Sequence, residues 1–383
     1  MHIAFVTETW PPQINGVALT VYALAQGMIA RGHRVEVVRP GPRAREHGME
    51  MVPARALRMP RYPGLHVGLP QALNLYTRWK ARGPDVAYIA SEGPLGASAM
   101  RAARLLGIPV VTGFHTRFDD YAAHYGVGWL NPLVRAWLLR FHRRATVTLV
   151  PTRELVDELR NDGVVHVQRL RRGVDAGLFD PARRDRSLRA SWGAAEGAPV
   201  MLCVGRVAAE KNLGLAIQAF RILQARRPSA RLVIVGDGPQ RPALAAACPD
   251  VHFAGARHGV ELAAHYASAD VFLFPSLTET FGNVVLEAMA SGLPLVAFDR
   301  AAAQEHVANG ISGLVVPGSD SKGFIGSAYA LGMDSELRER MGFNARLAAQ
   351  RCTPEAVAAG FEAVMHSLLQ EPSLEHACSG AQA

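Results

Sequence analysis

Short runs rich in β-branched residues alternate with longer stretches of helical spacing along nearly the whole of this 383-residue chain. That alternation leaves few folds open, because strand, helix and parallel strand form the repeating unit of α/β sheets. In the first half, strands are expected at His2–Thr7, Arg34–Arg39, Val86–Ala90, Val110–Phe114, Thr146–Val150 and His166–Leu170. Helical spacing occupies Val17–Ala30, Leu95–Leu106, Pro132–Arg144 and Arg153–Asn161, with Gly32 and Gly107 at stop positions. Pro40–Pro84 is rich in Pro, Gly and Arg with little periodicity, and reads as a long surface excursion.

Arg171–Arg189 combines turn residues with dense charge and reads as a linker, after which the pattern restarts. Strands are expected at Val200–Val204, Arg231–Val235, Val251–Phe253, Val271–Phe274, Leu295–Ala297 and Gly313–Val316. Helices are expected at Leu213–Arg226, Gln240–Ala247, Val260–Ala267 and Val284–Ala290, with three more from Gly323 to about Leu369. The expected fold class is therefore α/β, two doubly wound Rossmann-like domains facing a cleft at the carboxyl ends of their strands. The boundaries are placed at 1–172 and 173–353, followed by a C-terminal helix over 354–371 and a frayed tail at 372–383.

Composition narrows the class further. With 49% hydrophobic, 7% aromatic and 19% charged residues, the chain is globular rather than disordered or fibrous. Cys203, Cys248, Cys352 and Cys378 lie far apart with no CxxC pair, which argues against a zinc site or a disulfide framework. No apolar stretch reaches the roughly 20 residues that span a bilayer, and Met1 leads directly into a strand pattern, so a cytoplasmic location is expected. The charge is uneven: residues 1–172 carry 23 basic and 12 acidic side chains, net +11, and the remainder 18 and 21, net −3. Nucleic acid is one possible partner for such a basic half, but no nucleic-acid recognition motif accompanies it, and an anionic membrane surface or an acidic acceptor is equally consistent with the charge. Lysine occurs only at Lys80, Lys211 and Lys322.

The strongest chemical pattern is Pro275–Gly292, PSLTETFGNVVLEAMASG, which follows a buried strand and opens a helix. Glu279 and Glu287 stand eight positions apart, and backbone N–H groups from Thr280 to Val284 lie at the helix start, where the dipole favours an anion. A diphosphate at the helix end with hydroxyl-accepting carboxylates on either side suits a sugar nucleotide. The alternative makes Glu279 a first-turn acid and Glu287 a solvated helix residue. Arg206 and Lys211, in Gly205–Asn212 after the first strand of the second half, would project from the carboxyl edge of the sheet and could neutralise a diphosphate. Either could equally be an ordinary surface cation. In the first half, Gly16 opens a helix after Pro11–Asn15, and His115 follows a buried strand, as a ligand contact or as a satisfied core histidine. No G-x-G-x-x-G occurs, and the nearest approach, Gly236-Asp237-Gly238-Pro239, disfavours a nicotinamide or flavin enzyme.

Taken together, the E-x7-E pattern Glu279…Glu287, the GRxxxEKN pattern from Gly205, VGDGP at Val235–Pro239, the NGV at Asn15 and the FHT at Phe114 resemble glycosyltransferase family 4 over nearly the whole chain. The resemblance implies the GT-B fold and retaining, nucleotide-sugar-dependent transfer. It also implies roles: Glu287 for the ribose, Glu279 for the donor sugar, Arg206 and Lys211 for the diphosphate, and backbone contacts from Phe281, Gly282, Asn283 and Val284. Gly16 would approach the diphosphate, His115 would contact the sugar near the reacting carbon, and the last helix would return to the first domain. Gly113–Gly126 and Leu277–Ala303 further resemble a bacterial subgroup containing GDP-mannose-dependent α-mannosyltransferases and synthases of glycosyl and sulfoquinovosyl diacylglycerol.

The implied reaction is hexosyl transfer, mannosyl from GDP-mannose or else a UDP-hexose, to a hydroxyl of a diacylglycerol-type lipid. A polysaccharide or small-molecule acceptor is the alternative, and a non-catalytic nucleotide-sugar-binding module is the alternative from another class. No D-x-D triplet is present, Asp119-Asp120 not being one, so no cofactor and no essential metal is expected beyond the sugar nucleotide. Asn131–Arg144 places Leu133, Trp137, Leu138 and Phe141 beside Arg135, Arg140, Arg143 and Arg144. It reads either as a basic amphipathic helix for the inner face of the cytoplasmic membrane or as a core-packed helix with a solvated side. Arg55, Arg58 and Arg61 would extend the basic patch.

Overall fold

The computed structural model describes residues 1–13, 15–58, 66–115 and 131–370. Arg61, the Thr116–Gly126 part of the subgroup motif with its Asp119-Asp120 pair, and the 372–383 tail lie outside the described residues. The chain divides into two compact units, the first running to Arg171 and resuming at Pro354, the second spanning Arg172–Thr353.

In the first unit the elements are β1 His2–Val6, α1 Gly16–Ala30, β2 Arg34–Pro40, β3 Ala44–Glu46, β4 Met49–Ala54, β5 Ala56–Arg58, β6 His66–Gly68, α2 Ala72–Ala81, β7 Val86–Ile89, α3 Pro94–Leu105, β8 Val110–Gly113, α4 Asn131–His142, β9 Val147–Val150, α5 Arg153–Asn161 and β10 Val167–Arg169. The second unit holds α6 Arg186–Ser191, β11 Val200–Val204, α7 Leu213–Gln224, β12 Arg231–Val235, α8 Arg241–Ala247, β13 His252–Gly255, α9 Gly259–Ser268, β14 Val271–Phe274, α10 Asn283–Ala290, β15 Leu295–Phe298, α11 Ala301–His306, β16 Gly313–Val316, α12 Ser321–Met333 and α13 Ser335–Ala349. The last helix, α14 Pro354–Gln370, packs on α1 and belongs to the first unit.

Each unit is built on one sheet with helices on both faces. The first sheet runs β10-β9-β8-β7-β1-β2-β4-β3, parallel throughout except for β3 against β4. The second runs β13-β12-β11-β14-β15-β16, all parallel. Alternate residues of one strand enter different cores, as a two-residue period requires. Ile3 and Phe5 join Val21, Met28, Phe361 and Met365 on one face, while Ala4 and Val6 join Leu75, Trp79, Leu95 and Ala99 on the other. In the second unit Val200 and Leu202 pack with Val285 and Met289, and Met201 and Cys203 with Phe220 and Phe324. Polar caps start several helices: Asn15 Oδ1 accepts from the Ala18 N–H at 2.8 Å, and Thr152, Asp320 and Asp334 do the same for α5, α12 and α13.

Two expectations need correction. The stretch read as a surface excursion over Pro40–Pro84 supplies β4, which pairs in parallel with β2 and buries Met49, Met51 and Val52, and α2, which buries Leu75 and Trp79. Its anchor is Glu36 on β2, buried in the sheet, which accepts from Trp79 Nε1 at 2.6 Å and from Arg78 at 2.8 Å. A buried carboxylate is tolerable only with such partners, so α2 docks where Glu36 places it. The stretch read as a linker over Arg171–Arg189 is likewise ordered, and from Arg172 onward it is part of the second unit. Val174, Phe179 and Trp192 enter its core, and buried Arg189 bonds to the Ser268 and Ala198 carbonyls at 2.7 Å each and to Asp270 at 3.0 Å.

Candidate active site

The reversal in strand order of the second sheet lies between β11 and β14, where the carboxyl ends of the strands leave a crevice. Two strand-to-helix loops meet there. After β11, Gly205 and Arg206 lead to a single 3-10 turn, Ala209–Lys211, then Asn212 in the left-handed region at φ 50° and the start of α7. After β14, Pro275–Gly282 leads to α10, and Gly282, at φ 91°, has no room for a side chain because a Cβ would sit 2.8 Å from the Phe274 ring. Ser276 Oγ donates to the Glu210 carbonyl at 3.2 Å and so ties the loops together.

The loops bring opposite charges into contact. Lys211 Nζ donates to Glu279 Oε1 in a short ion pair with both side chains mostly shielded from solvent. Arg206 lies 3.6 Å from buried Glu210 and is about one-third exposed. Glu279 precedes α10 by four positions and the first turn of α10 holds no acid, so the first-turn alternative does not apply. The alternative of a solvated Glu287 fails as well: it sits half-buried inside α10, and its Oε2 accepts from the fully buried Tyr266 hydroxyl at 2.8 Å. Burial pushes the Glu287 carboxyl up to about 7, against the lowering effect of the Tyr266 bond, and the same burial pushes the Tyr266 hydroxyl well above its ordinary value.

Asn283 and Val284 form the first turn of α10, where backbone N–H groups have no partner within the helix. Phe281 contributes differently from Gly282–Val284. Its ring is buried against His306 at 5.7 Å, and its carbonyl accepts from the Ala302 N–H at 2.9 Å, so it anchors the loop from below.

The VGDGP pattern has a packing reason. Gly236, at φ 141°, would place a Cβ 1.8 Å from the Gly205 carbonyl oxygen, and one at Gly238 would lie 2.4 Å from that of Val207. Hydrogen bonds from the Val207 N–H to Asp237 and from the Gln240 N–H to Val207, at 2.9 and 3.0 Å, lock the two loops together. This pattern therefore supports the backbone that carries Arg206.

In the first unit, Gly16 is the exposed first residue of α1, immediately after its cap Asn15. His115 lies two residues past β8, half-buried, with Nε2 2.7 Å from the Tyr88 hydroxyl. Gly113 leaves room for that pair, since a Cβ there would fall 2.3 Å from the Tyr88 hydroxyl. Phe361 of α14 meets the Tyr88 ring edge-on at 5.0 Å. Tyr88 and Tyr266 carried no signal in the sequence, because neither belongs to a recognisable local pattern. Away from these residues, His33, Glu362 and His366 bring ligand-type atoms within 4.8 Å of one another where α14 packs on α1, and there Glu362 already pairs with Arg31 and His33.

The Glycosyltransferase Family 4 model matches residues 14–178, and the Glycosyl transferases group 1 model matches residues 198–334. A GDP-mannose-dependent alpha-mannosyltransferase of Mycobacterium tuberculosis is 35% identical over 330 residues, 83% of this chain and 84% of its own. The chain belongs to glycosyltransferase family 4. An alpha-monoglucosyldiacylglycerol synthase of Acholeplasma laidlawii is 28% identical, over 77% of this chain and 80% of its own. Among solved structures, the sucrose-phosphate synthase of Thermosynechococcus elongatus superposes with a TM-score of 0.76 at 19% identity, covering 96% of this chain and 98% of that one, so this glycosyltransferase has the GT-B fold. The amphipathic reading of α4 contracts in this family member. Leu138 and Phe141 are buried, Arg135 pairs with Asp162 at 2.5 Å, exposed Arg143 bonds to the Gly163 carbonyl, and exposed Trp137 donates from Nε1 to the Glu92 carbonyl at 2.9 Å, while Leu133, Arg140 and Arg144 are exposed as well. No helix among the described residues is long and apolar enough to cross a membrane.

Proposed function

We propose that this glycosyltransferase moves a hexosyl group, mannosyl from GDP-mannose before a hexosyl from a UDP-sugar, to a hydroxyl of a diacylglycerol-type lipid with retention at the anomeric carbon. The observation that carries this reading is the convergence of Arg206, Lys211, Glu279, Glu287 and the amino end of α10 at one strand-order reversal. The names of the mannosyltransferase and glucosyldiacylglycerol synthase relatives support the donor and acceptor classes.

In this reading the second unit holds the donor and the first unit the acceptor. Glu287 accepts hydrogen bonds from the ribose and Glu279 from the sugar. Arg206, Lys211 and the N–H groups of Gly282, Asn283 and Val284 take the diphosphate, with Gly16 approaching it and His115 contacting the sugar. Phe281 sets the loop that presents these N–H groups. Two cations and a helix end suffice to hold the diphosphate, and the reading assigns no metal.

The chemistry follows from charge. As the bond from the anomeric carbon to the β-phosphate oxygen breaks, its electron pair stays on the oxygen, and Arg206, Lys211 and the helix N–H groups stabilise that charge. The acceptor oxygen bonds to the same face of the carbon and its proton passes to the departing phosphate oxygen. Substrate positioning supplies the remainder of the rate.

Leu133, Trp137, Arg140 and Arg144, exposed on a unit whose sequence carries most of the positive charge, support peripheral attachment to the anionic inner face of the cytoplasmic membrane. A donor screen tests the whole reading. GDP-mannose, UDP-glucose, UDP-galactose, UDP-glucuronate and UDP-sulfoquinovose are each incubated with anionic vesicles with and without diacylglycerol. Transfer from one donor only when diacylglycerol is present is the expected result, and nucleotide binding without transfer to any acceptor would overturn it.

A further inference from the structure

The rule that places the donor residues in the second unit applies equally to the first. In the first sheet the strand order reverses between β1 and β7, both paired in parallel. Glu8 lies two residues beyond β1, and Ser91, Glu92 and Gly93 follow β7 by two to four residues. None of these residues is used by the donor reading.

The side chains at this reversal are built to receive something. Glu8 Oε1, Thr9 Oγ1 and Ser91 Oγ are all shielded from solvent and have no hydrogen-bond partner among the described residues. Buried oxygens are ordinarily satisfied, and each one left unsatisfied carries a free-energy cost. Gly93 makes space for the Glu8 carboxyl, because a Cβ there would fall 2.4 Å from Oε1, and one at Gly68 would fall 3.2 Å away. Burial raises the Glu8 carboxyl to about 7; the Gly68 and Leu95 N–H groups near the carboxyl oppose the rise without completing a hydrogen bond to Oε1, and Glu92 adds to it. Glu92 itself is buried and already engaged by His142 Nε2 at 3.3 Å. Two carboxyl groups at this edge would repel a phosphate, whereas an uncharged alcohol can donate to Oε1.

We propose that Glu8 is an acceptor-binding residue whose Oε1 accepts a hydrogen bond from a neutral hydroxyl, of glycerol or of a sugar, beyond the β1 and β7 strand ends of the first unit. The proposal rests on the transferase reading above and names the acceptor chemistry of its first unit. Thr9 and Ser91 supply further hydrogen-bonding oxygens to the same polyol.

The test compares wild type with Glu8→Leu and Ser91→Ala, using dioleoylglycerol in dioleoylphosphatidylglycerol vesicles and, separately, octyl α-mannoside as acceptor probes. The leucine side chain is of similar size to that of glutamate and has no atom that accepts a hydrogen bond. With the donor found by the screen, Glu8→Leu raises the acceptor KM about tenfold or more, the loss expected for a hydrogen bond to a carboxyl. Nucleotide affinity, read by titration calorimetry, stays at the wild-type value. An acceptor KM within about twofold of wild type for a folded Glu8→Leu protein overturns the assignment. If Glu8→Leu melts far below wild type, Ser91→Ala decides the matter in the same way, a raised acceptor KM supporting the proposal and an unchanged one overturning it. Wild-type protein that transfers to neither probe removes the transferase reading and this inference with it, whereas wild-type transfer with an unchanged KM in the variants removes only the role of Glu8.

Discussion

The Tyr266 hydroxyl, inside the core of the second unit, donates a 2.8 Å hydrogen bond to Glu287 Oε2 at the reversal between β11 and β14. A carboxyl raised to about 7 by burial is half protonated near neutrality, and the tyrosine bond is the one feature that favours its ionised form. If Glu287 accepts hydrogen bonds from the ribose, nucleotide binding needs the carboxylate. Affinity therefore falls as pH drops through about 7, Glu287→Gln flattens the profile, and Tyr266→Phe moves its midpoint upward. Titration calorimetry across that range checks all three, and a flat wild-type profile would remove Glu287 from the ribose.

The same group makes a stability prediction of opposite sense to that of a salt-bridged acid. The native carboxyl keeps its proton up to about 7, while the unfolded one releases it near its ordinary value of 4.5. Between those values the native state binds more protons than the unfolded state, so this contribution to stability declines as pH rises through the window. The slope of melting temperature against pH should be less negative, or more positive, in Glu287→Gln than in wild type over that window.

Lys211 and Glu279 form an ion pair at the candidate site, and two roles for it can be separated. As a purely structural pair it would survive exchange of the two charges. As a phosphate ligand and a sugar ligand it would not. Lys211→Ala is expected to lower kcat about 100-fold, and Glu279→Gln to abolish transfer while largely sparing nucleotide binding. The double exchange Lys211→Glu with Glu279→Lys is expected to fold yet remain inactive in the donor assay.

Gly236→Ala tests the support of the Arg206 loop. The new Cβ would lie 1.8 Å from the Gly205 carbonyl oxygen at a backbone φ of 141°, so the loop after β11 must move. A loss of about 2 kcal/mol or more is expected in urea denaturation, accompanied by weaker nucleotide binding.

Phe361 is fully buried and joins α14 to β1 and β7 through Phe5 and Tyr88, with ring centroids 5.8 and 5.0 Å away. Phe361→Ala should cost about 3–5 kcal/mol of stability in the first unit. Because Tyr88 holds His115, the variant should also reduce transfer in whatever protein remains folded, measured as kcat at saturating donor.

Periodicity along the chain determined the regular elements whose burial is continuous. Val200–Val204 and Val271–Phe274 are packed on both faces and therefore read as unbroken apolar runs. The motif residues were legible for a related reason, since Arg206, Lys211, Glu279 and Glu287 stand at fixed offsets after such runs. Pairing and long-range contacts decided the rest. β4 contains Glu50 and Pro53 and looks like a loop until β2 lies beside it, and α2 finds its place only through the Glu36 bonds to Arg78 and Trp79. The charged stretch ending at Arg189 looks solvated until Asp270 meets it, 81 positions later. Tyr88 beside His115, Tyr266 beside Glu287 and Glu8 beside Gly93 belong to the same class. A sequence pattern reports how deeply a residue is buried along its own strand or helix. Which side chain waits across the edge of the sheet depends on the order in which the strands assemble, and that order exists only in the folded chain.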